Sequence, residues 1–298
     1  KEIQPGDITD ILRHCLTRPA ASKGRGVRKT TASTSNGKLT TANRLRAYLR
    51  AAFAFGLKND LSPQRSGAAV QFGLSHNPVT DLPTIEGAER ANTEALNKDE
   101  LRHLLIALDG LPTYHQAIAR AMLYLAGQRV EMLCRATWDD LLDDPEHGPL
   151  LRLVDFKGGK GSPPRDHLLP IAGRLAEVLA PLLAEKDAAP RKLAGPFALG
   201  ARPFSPDTAL KIFSDLGSAL AEKGLTRRFT WRTMRATIET HLAELGTDEQ
   251  RRAWLLSHGR SGVQAKHYDR YSYVAEKRED MASWARYLDT LAGLVPVD

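Results

Sequence analysis

From residue 98 to the end of this 298-residue chain, apolar residues return at three- and four-residue steps in one segment after another. That rhythm confines each segment to an amphipathic helix, which must bury one stripe against its neighbours. The spacing predicts helices over 98–109 and 114–126, a short one from about 129, then 173–186, 206–222, 231–245, 248–257 and 275–293. One stretch, LLRLVDFKGGKGSPPRDHLLPI (150–171), breaks the pattern. Its two apolar runs flank a Gly-Gly and Pro-Pro turn region, which predicts a hairpin with a long basic tip. The fold class that follows is mainly α with a small antiparallel β-sheet. Neither a G-x-G-x-x-G nor a P-loop pattern occurs, so there is no nucleotide cradle and no cofactor is expected.

Upstream the chain changes character. ITDILRHCLTR (8–18) reads as a short helix and GRGVRKTTASTSNGK (24–38) as a basic loop rich in turn formers. In TTANRLRAYLRAAFAFGL (40–57), Thr41 is the expected cap of a helix. Leu45, Tyr48, Leu49, Ala52 and Phe55 share one face of it, and Arg44, Arg46 and Arg50 surround the rest. HNPVTDLPTIEGAERANTEALNK (76–98) has no periodicity and two prolines, so the domain boundary is placed there, between a first unit over 1–88 and a second over 95–298.

Charge follows the same division. Residues 1–90 hold 14 Lys and Arg against 7 Asp and Glu, whereas 91–298 hold 28 of each, so the whole net charge of +7 belongs to the first third. Between Ile11 and Asn59 there are eleven basic residues and no acidic one. A stretch of that kind attracts a polyanion and gains from counterion release if the polyanion is DNA. Arg25, Arg28, Lys29, Lys38, Arg44, Arg46 and Arg50 are the candidate contacts, with a solvated basic face as the plainer alternative.

No run resembles a membrane span. Cys15 and Cys134 stand alone, outside any C-x-x-C spacing, which argues against a disulfide framework or thiolate metal site and fits a reducing cytoplasm. The first residue is Lys1 and no secretory pattern follows it, so material upstream is expected to have been removed.

Three segments carry groups suited to chemistry. LAGQRVEMLCRATWDDL (125–141) puts Arg129 directly after an apolar helix and Gly127, with Glu131 as a local partner. FTWRTMRATIETHLAELG (229–246) has Thr230 as a cap and Met234, Ile238, Leu242 and Leu245 as its buried stripe. Arg232 and Arg235 lie on one side near its N-terminus, where free N–H groups also favour an anion. His241, close to the apolar side, reads as a core histidine. DEQRRAWLLSHG (248–259) ends a helix with Gly259 as its stop and His258 at the helix end, followed by Tyr268, Tyr271 and Tyr273. His258, His267 and Asp269 match no known metal-ligand spacing, and no metal is expected.

Taken in order, the G-x-R-x-E helix, the lysine-bearing hairpin, the R-x-x-R helix, L-L-S-H-G and a tyrosine shortly after the histidine resemble the tyrosine recombinase (phage integrase) family. The match covers about residues 95–298, and TANRLRAYLRAAFAF with NPV upstream is similar to the end of that family's helical core-binding domain. The resemblance implies a core-binding domain joined to a catalytic domain of the DNA breaking-rejoining fold. Arg129 and Arg235 would hold the oxygens of a scissile phosphate, Lys157 (less favoured, Lys160) would protonate the leaving 5′ oxygen, His258 would match the L-G-H histidine, and Tyr268 would be the nucleophile. Glu131 would support Arg129. Arg232 occupies the place of the histidine in H-x-x-R, and Tyr268 falls one residue further from the histidine than is usual in the family.

The activity so implied is site-specific integration or excision of a mobile element through a 3′-phosphotyrosine link, needing neither ATP nor metal. A type IB topoisomerase-like enzyme and a non-catalytic DNA-binding protein are the rival readings. Implied partners are duplex attachment sites, further copies of the chain in a tetramer on DNA, and a DNA-bending accessory factor, at the nucleoid of a bacterial cytoplasm and with no membrane. Met281, Trp284, Leu288 and Leu291 form a stripe on the last helix that either packs into its own domain or reaches a neighbouring protomer. From the basic first third, Arg44→Ala or Arg50→Ala is predicted to weaken binding to unrelated duplexes alike and to lower the slope of log K against log salt by about one per lost contact, as read by titration at several salt concentrations.

Overall fold

The computed structural model describes residues 3–17, 35–64, 70–88, 94–156, 164–184, 186–187, 193–199, 202–258 and 271–294. The chain divides into two compact units, residues 1–92 and 93–298. Among the described residues no helix is long and apolar enough to cross a membrane.

The first unit pairs α1 (Pro5–Thr17) with α2 (Ser35–Leu61). Ile8 and Leu12 pack with Val79 against Leu45, Leu49, Phe53 and Leu82. Thr41 therefore lies inside α2 instead of capping it. The polar residues that resemble a helix start are used to hold the 82–88 segment: Asn43 donates to Ile85 O (3.0 Å) and accepts from Ile85 N (2.8 Å), and Thr40 donates to Ala88 O. The expected apolar face is also rotated. Tyr48 and Phe55 are 72% and 60% exposed, and Phe53 takes the inward place. Arg46 donates to Leu82 O at 2.8 Å, so its guanidinium serves this unit's own packing, whereas Arg44 and Arg50 are exposed.

In the second unit α3 (Lys98–Ala107) starts at a capping box, with Asn97 Oδ1 accepting from Glu100 N and Glu100 Oε2 from Asn97 N, both at 2.9 Å. There follow α4 (Thr113–Tyr124), α5 (Val130–Arg135), a sheet, α6 (Arg174–Leu183), α7 (Pro206–Glu222), α8 (Trp231–Glu244), α9 (Glu249–Leu255) and α10 (Val274–Leu291). The sheet is antiparallel in the order β1 (Leu141–Asp144), β2 (Gly148–Asp155), β3 (Arg165–Pro170), with Leu151 opposite Leu169 and Asp155 opposite Arg165. The expected hairpin is β2 and β3. Strand β1 was not foreseen, because LLDD has no alternation; it is fixed by the following turn, where Asp144 Oδ1 accepts from Glu146 N and His147 N. A two-residue ribbon, β4 (Ala198–Leu199) and β5 (Arg202–Pro203), was also unforeseen. Cys134 on α5 is buried, and burial pushes its thiol up to about 12.

The last helix packs into its own unit. Met281, Trp284 and Leu288 are buried in the main core, where α10 meets α3, α4, α6, α9 and β3, and Trp284 Nε1 donates to Leu123 O at 2.8 Å. The cis alternative for its stripe is the one observed.

Among the described residues of this unit, five helices end in the same hydrogen-bonded hook, a 6→1 bond enclosing a shorter one, with its penultimate residue left-handed. At the ends of α7, α8 and α10 that residue is Gly224, Gly246 or Gly293. At α4 and α9 it is Ala126 (φ 53°) and Ser257 (φ 51°), where a side chain makes the conformation costly.

Helix α7 crosses the strand-like approach to α8 at Gly217, where an added Cβ would lie 2.2 Å from Phe229 O. Gly217→Ala should therefore destabilise the second unit by about 3 kcal/mol despite its better helix propensity, seen as a drop in Tm by circular dichroism.

Candidate active site

The turn from Leu125 to Arg129 is where distant parts of the second unit meet. Gly127 there has φ 74°, and a Cβ on it would lie 2.9 Å from Ile238 Cδ1 and 3.6 Å from Arg235 Cγ. The left-handed φ favours glycine, and the absent Cβ leaves room for the Ile238 side chain of α8. As a result Arg235 donates from Nη1 to Gly127 O, 108 positions away in the chain. Burial, and then the like charge of Arg129, push the Arg235 guanidinium down to about 10. Both arginines thus serve one turn, and each would gain from a nearby anion.

Arg129 stands just before α5 as its N-cap, with extended backbone (φ −65°, ψ 127°). Its side chain leaves the helix for the end of β2, where Nη1 donates to Asp155 Oδ2 at 2.9 Å, while Nη2 donates to Ser257 O at 3.1 Å. The same Asp155 oxygen accepts from Ser257 Oγ (2.7 Å) and Arg165 Nη2 (3.2 Å), and the Asp155 side chain is only 2% exposed. A carboxylate that deeply buried is tolerable because several donors, two of them cationic, satisfy it.

Beneath this layer lies a second one. Gln128 is fully buried; its amide donates to Leu125 O (3.0 Å) and Leu255 O (2.9 Å), which leaves Oε1 to accept from His167 Nε2 at 3.1 Å. His167 Nδ1 therefore keeps its lone pair, facing Lys277 Nζ at 3.5 Å, and Lys277 donates to Leu168 O at 2.9 Å. Trp231 Nε1 donates to Gln128 O at 3.3 Å. One glutamine so joins the α4–α5 turn, β3, α8, the end of α9 and, through His167, α10.

Arg232 is exposed on the first turn of α8, after Thr230 as N-cap. Glu131 is exposed in the first turn of α5, and the carboxylate paired with Arg129 is Asp155 instead. The reason is local: Arg129 is outside the helix and Glu131 inside it, so their side chains leave in different directions. His258 is half-buried and follows Ser257, its N–H bonded to Ala253 O at 2.9 Å. Helix α9 stops at a left-handed Ser257, ahead of the expected stop at Gly259. His241 is a satisfied core histidine, donating from Nε2 to Leu96 O at 2.9 Å. Lys38 is half-buried in α2. Arg25, Arg28, Lys29, Lys157, Lys160, Gly259, His267, Tyr268 and Asp269 lie outside the described residues. Among the described residues no group of three or more His, Cys, Asp or Glu could hold a metal ion.

Sequence reasoning missed Asp155, Gln128, Ser257, His167 and Lys277. Asp155 and His167 were inside the hairpin motif and Gln128 beside Arg129, but a lone polar residue among apolar ones gives no sign of its partner across the fold.

Burial, and then the Lys277 charge, hold the His167 imidazole well below its usual 6.5. The unfolded chain takes up this proton below about pH 6.5 and the folded chain does not, so the stability tied to the neutral ring is present above that pH and is lost on acidification, at up to about 1.4 kcal/mol per pH unit. The His167 Cε1 proton shift should stay that of a neutral ring at pH 5.5 by NMR.

No protein-family model matches the sequence, and no curated protein matches it. Solved structures do. A lambda integrase dimer bound to a COC′ core site aligns with 91% of this chain at 19% identity and a TM-score of 0.59. This chain spans 65% of that protein's length. The Tn1549 transposon integrase (residues 82–397) with circular intermediate DNA aligns with 94% of this chain and 85% of its own at 16% identity, TM-score 0.58. The XerH recombinase bound to its difH substrate aligns with 87% of this chain and 65% of its own at 16% identity, TM-score 0.54. At these identities the likeness is one of architecture, and the chain has the fold of the tyrosine recombinases.

Proposed function

We propose that the chain is a site-specific DNA recombinase that cuts and rejoins duplex DNA through a covalent 3′-phosphotyrosine, with Tyr268 as nucleophile. The observation that carries this reading is the meeting of Arg129 and Arg235 on the Leu125–Arg129 turn. A phosphodiester is already anionic, so attack on it needs fixed cations to take up the charge that grows on its non-bridging oxygens. Arginine suits that task because it stays charged and can grip two oxygens at once.

In this reading the Tyr268 phenol passes its proton to His258 as its oxygen attacks phosphorus, the phosphorus–5′-oxygen bond breaks, and Lys157 gives a proton to the leaving oxygen. His258, directly after the Ser257 carbonyl that Arg129 holds, would bind the phosphate and carry a proton. Arg232, exposed one turn ahead of Arg235, would add a further cation toward DNA. The lambda integrase structures hold a dimer on a core site and a tetramer on a Holliday junction. We carry the corresponding partners to this chain, duplex attachment sites and further copies in a tetramer on DNA, and add a bending factor from the sequence resemblance alone. The exposed Arg44 and Arg50 would meet DNA phosphates.

The test is covalent capture. A library of nicked duplexes with randomised cores, in EDTA, should yield an SDS-resistant protein–DNA adduct, and Tyr268→Phe should yield none. Arg129→Ala or Arg235→Ala should slow adduct formation on the order of a hundredfold or more. An adduct that persists in Tyr268→Phe would mean a different nucleophile. No adduct with any member would leave a DNA-binding protein. Relaxation of supercoils without partner exchange by the selected sequences would assign a topoisomerase.

A further inference from the structure

Helix α9 ends in a hook whose left-handed position is glycine at three other helix ends of the same unit, yet here it is Ser257. A serine at φ 51° is strained where glycine would be at ease. The carbonyl and the hydroxyl of that serine both reach other elements. Its carbonyl accepts from Arg129 Nη2 at 3.1 Å and its hydroxyl donates to Asp155 Oδ2 at 2.7 Å. Asp155 closes the triangle by accepting from Arg129 Nη1 at 2.9 Å. Arg129, 17% exposed, is thereby held by two anchors on different elements, and the backbone that enters His258 is held by the same pair.

We propose that Asp155 and Ser257 are positioning residues for phosphate binding, acting by fixing the direction of the Arg129 guanidinium and the backbone that leads into His258. The proposal rests on reading the Arg129–Arg235 turn as a phosphate site. It assigns to Asp155 the work that the local spacing suggested for Glu131, and it explains why a strained serine stands where glycine would fold more easily. The hydroxyl, which glycine lacks, is the reason for the residue.

Charge and position make opposite demands on Asp155. Removing a carboxylate beside two or three guanidiniums raises the positive potential, so Coulomb attraction alone makes an anion bind more tightly to Asp155→Asn. A guanidinium released from its anchor must be reordered by the anion, which makes binding weaker. The probe is inorganic tungstate, a phosphate-sized dianion, titrated calorimetrically into the full chain. Asp155→Asn should weaken tungstate on the order of tenfold, as expected when one anchor of a charge-assisted pair is lost. Ser257→Gly and Ser257→Ala should weaken it to a similar degree, whereas their melting temperatures should part: Gly relieves the backbone and melts no lower than wild type, and Ala keeps the strain and melts lower.

If Asp155→Asn does not fold, the Ser257→Gly result decides. The proposal is overturned if Asp155→Asn binds tungstate as tightly as wild type or more so, if Ser257→Gly binds it like wild type, or if wild type does not bind it. Wild type that shows these variant effects but forms no covalent adduct with the nicked library keeps the positioning roles and removes strand transfer, so the two failures are separable.

Discussion

A missing side chain at Gly127 governs the second unit. Residue 127 is left-handed at φ 74°, which favours glycine, and a Cβ there would press on the Ile238 side chain of α8 at 2.9 Å, so the close approach of α8 to the α4–α5 turn is easiest with glycine. That approach lets Arg235 reach Gly127 O, sets Trp231 against Gln128 O, and brings a second guanidinium to the turn that carries Arg129. The core and the candidate site therefore share one contact.

What could be read from residues alone divides along the range of the interactions involved. The limits of α7 at 206 and 222 and of α8 near 231 and 244 were legible because local chemistry sets them, a Ser-Pro start in one and a Thr230 cap in the other. Strand β1 was not, since its order comes from pairing Leu141 with Leu151 and from the Asp144 turn. Thr41 misled for the opposite reason: a residue with capping chemistry lay inside a helix whose polar side chains hold a distant segment. Within the site, Arg129 and Arg235 stood out by type and spacing. The carboxylate that answers Arg129 did not, because Asp155 is 26 positions away and meets it only through the end of β2.

The site is assembled from groups that are costly to bury and are buried together. Asp155 accepts from two arginines and a hydroxyl, and Gln128 uses its amide donors and its acceptor on three different elements. In a low-dielectric interior such networks have few alternative arrangements, because any rotation leaves a desolvated group without a partner. Rigidity follows from that. The left-handed Ser257 is held within the network through its carbonyl and its hydroxyl.

Helix α10 ends the described chain with its tryptophan inside the same unit's core, bonded to Leu123 O. Withdrawing it would open a hole the size of an indole in the middle of the unit, at a cost of about 3–5 kcal/mol by analogy with Trp→Ala substitutions. Each copy can therefore complete its interior unaided, as a first-order event indifferent to dilution.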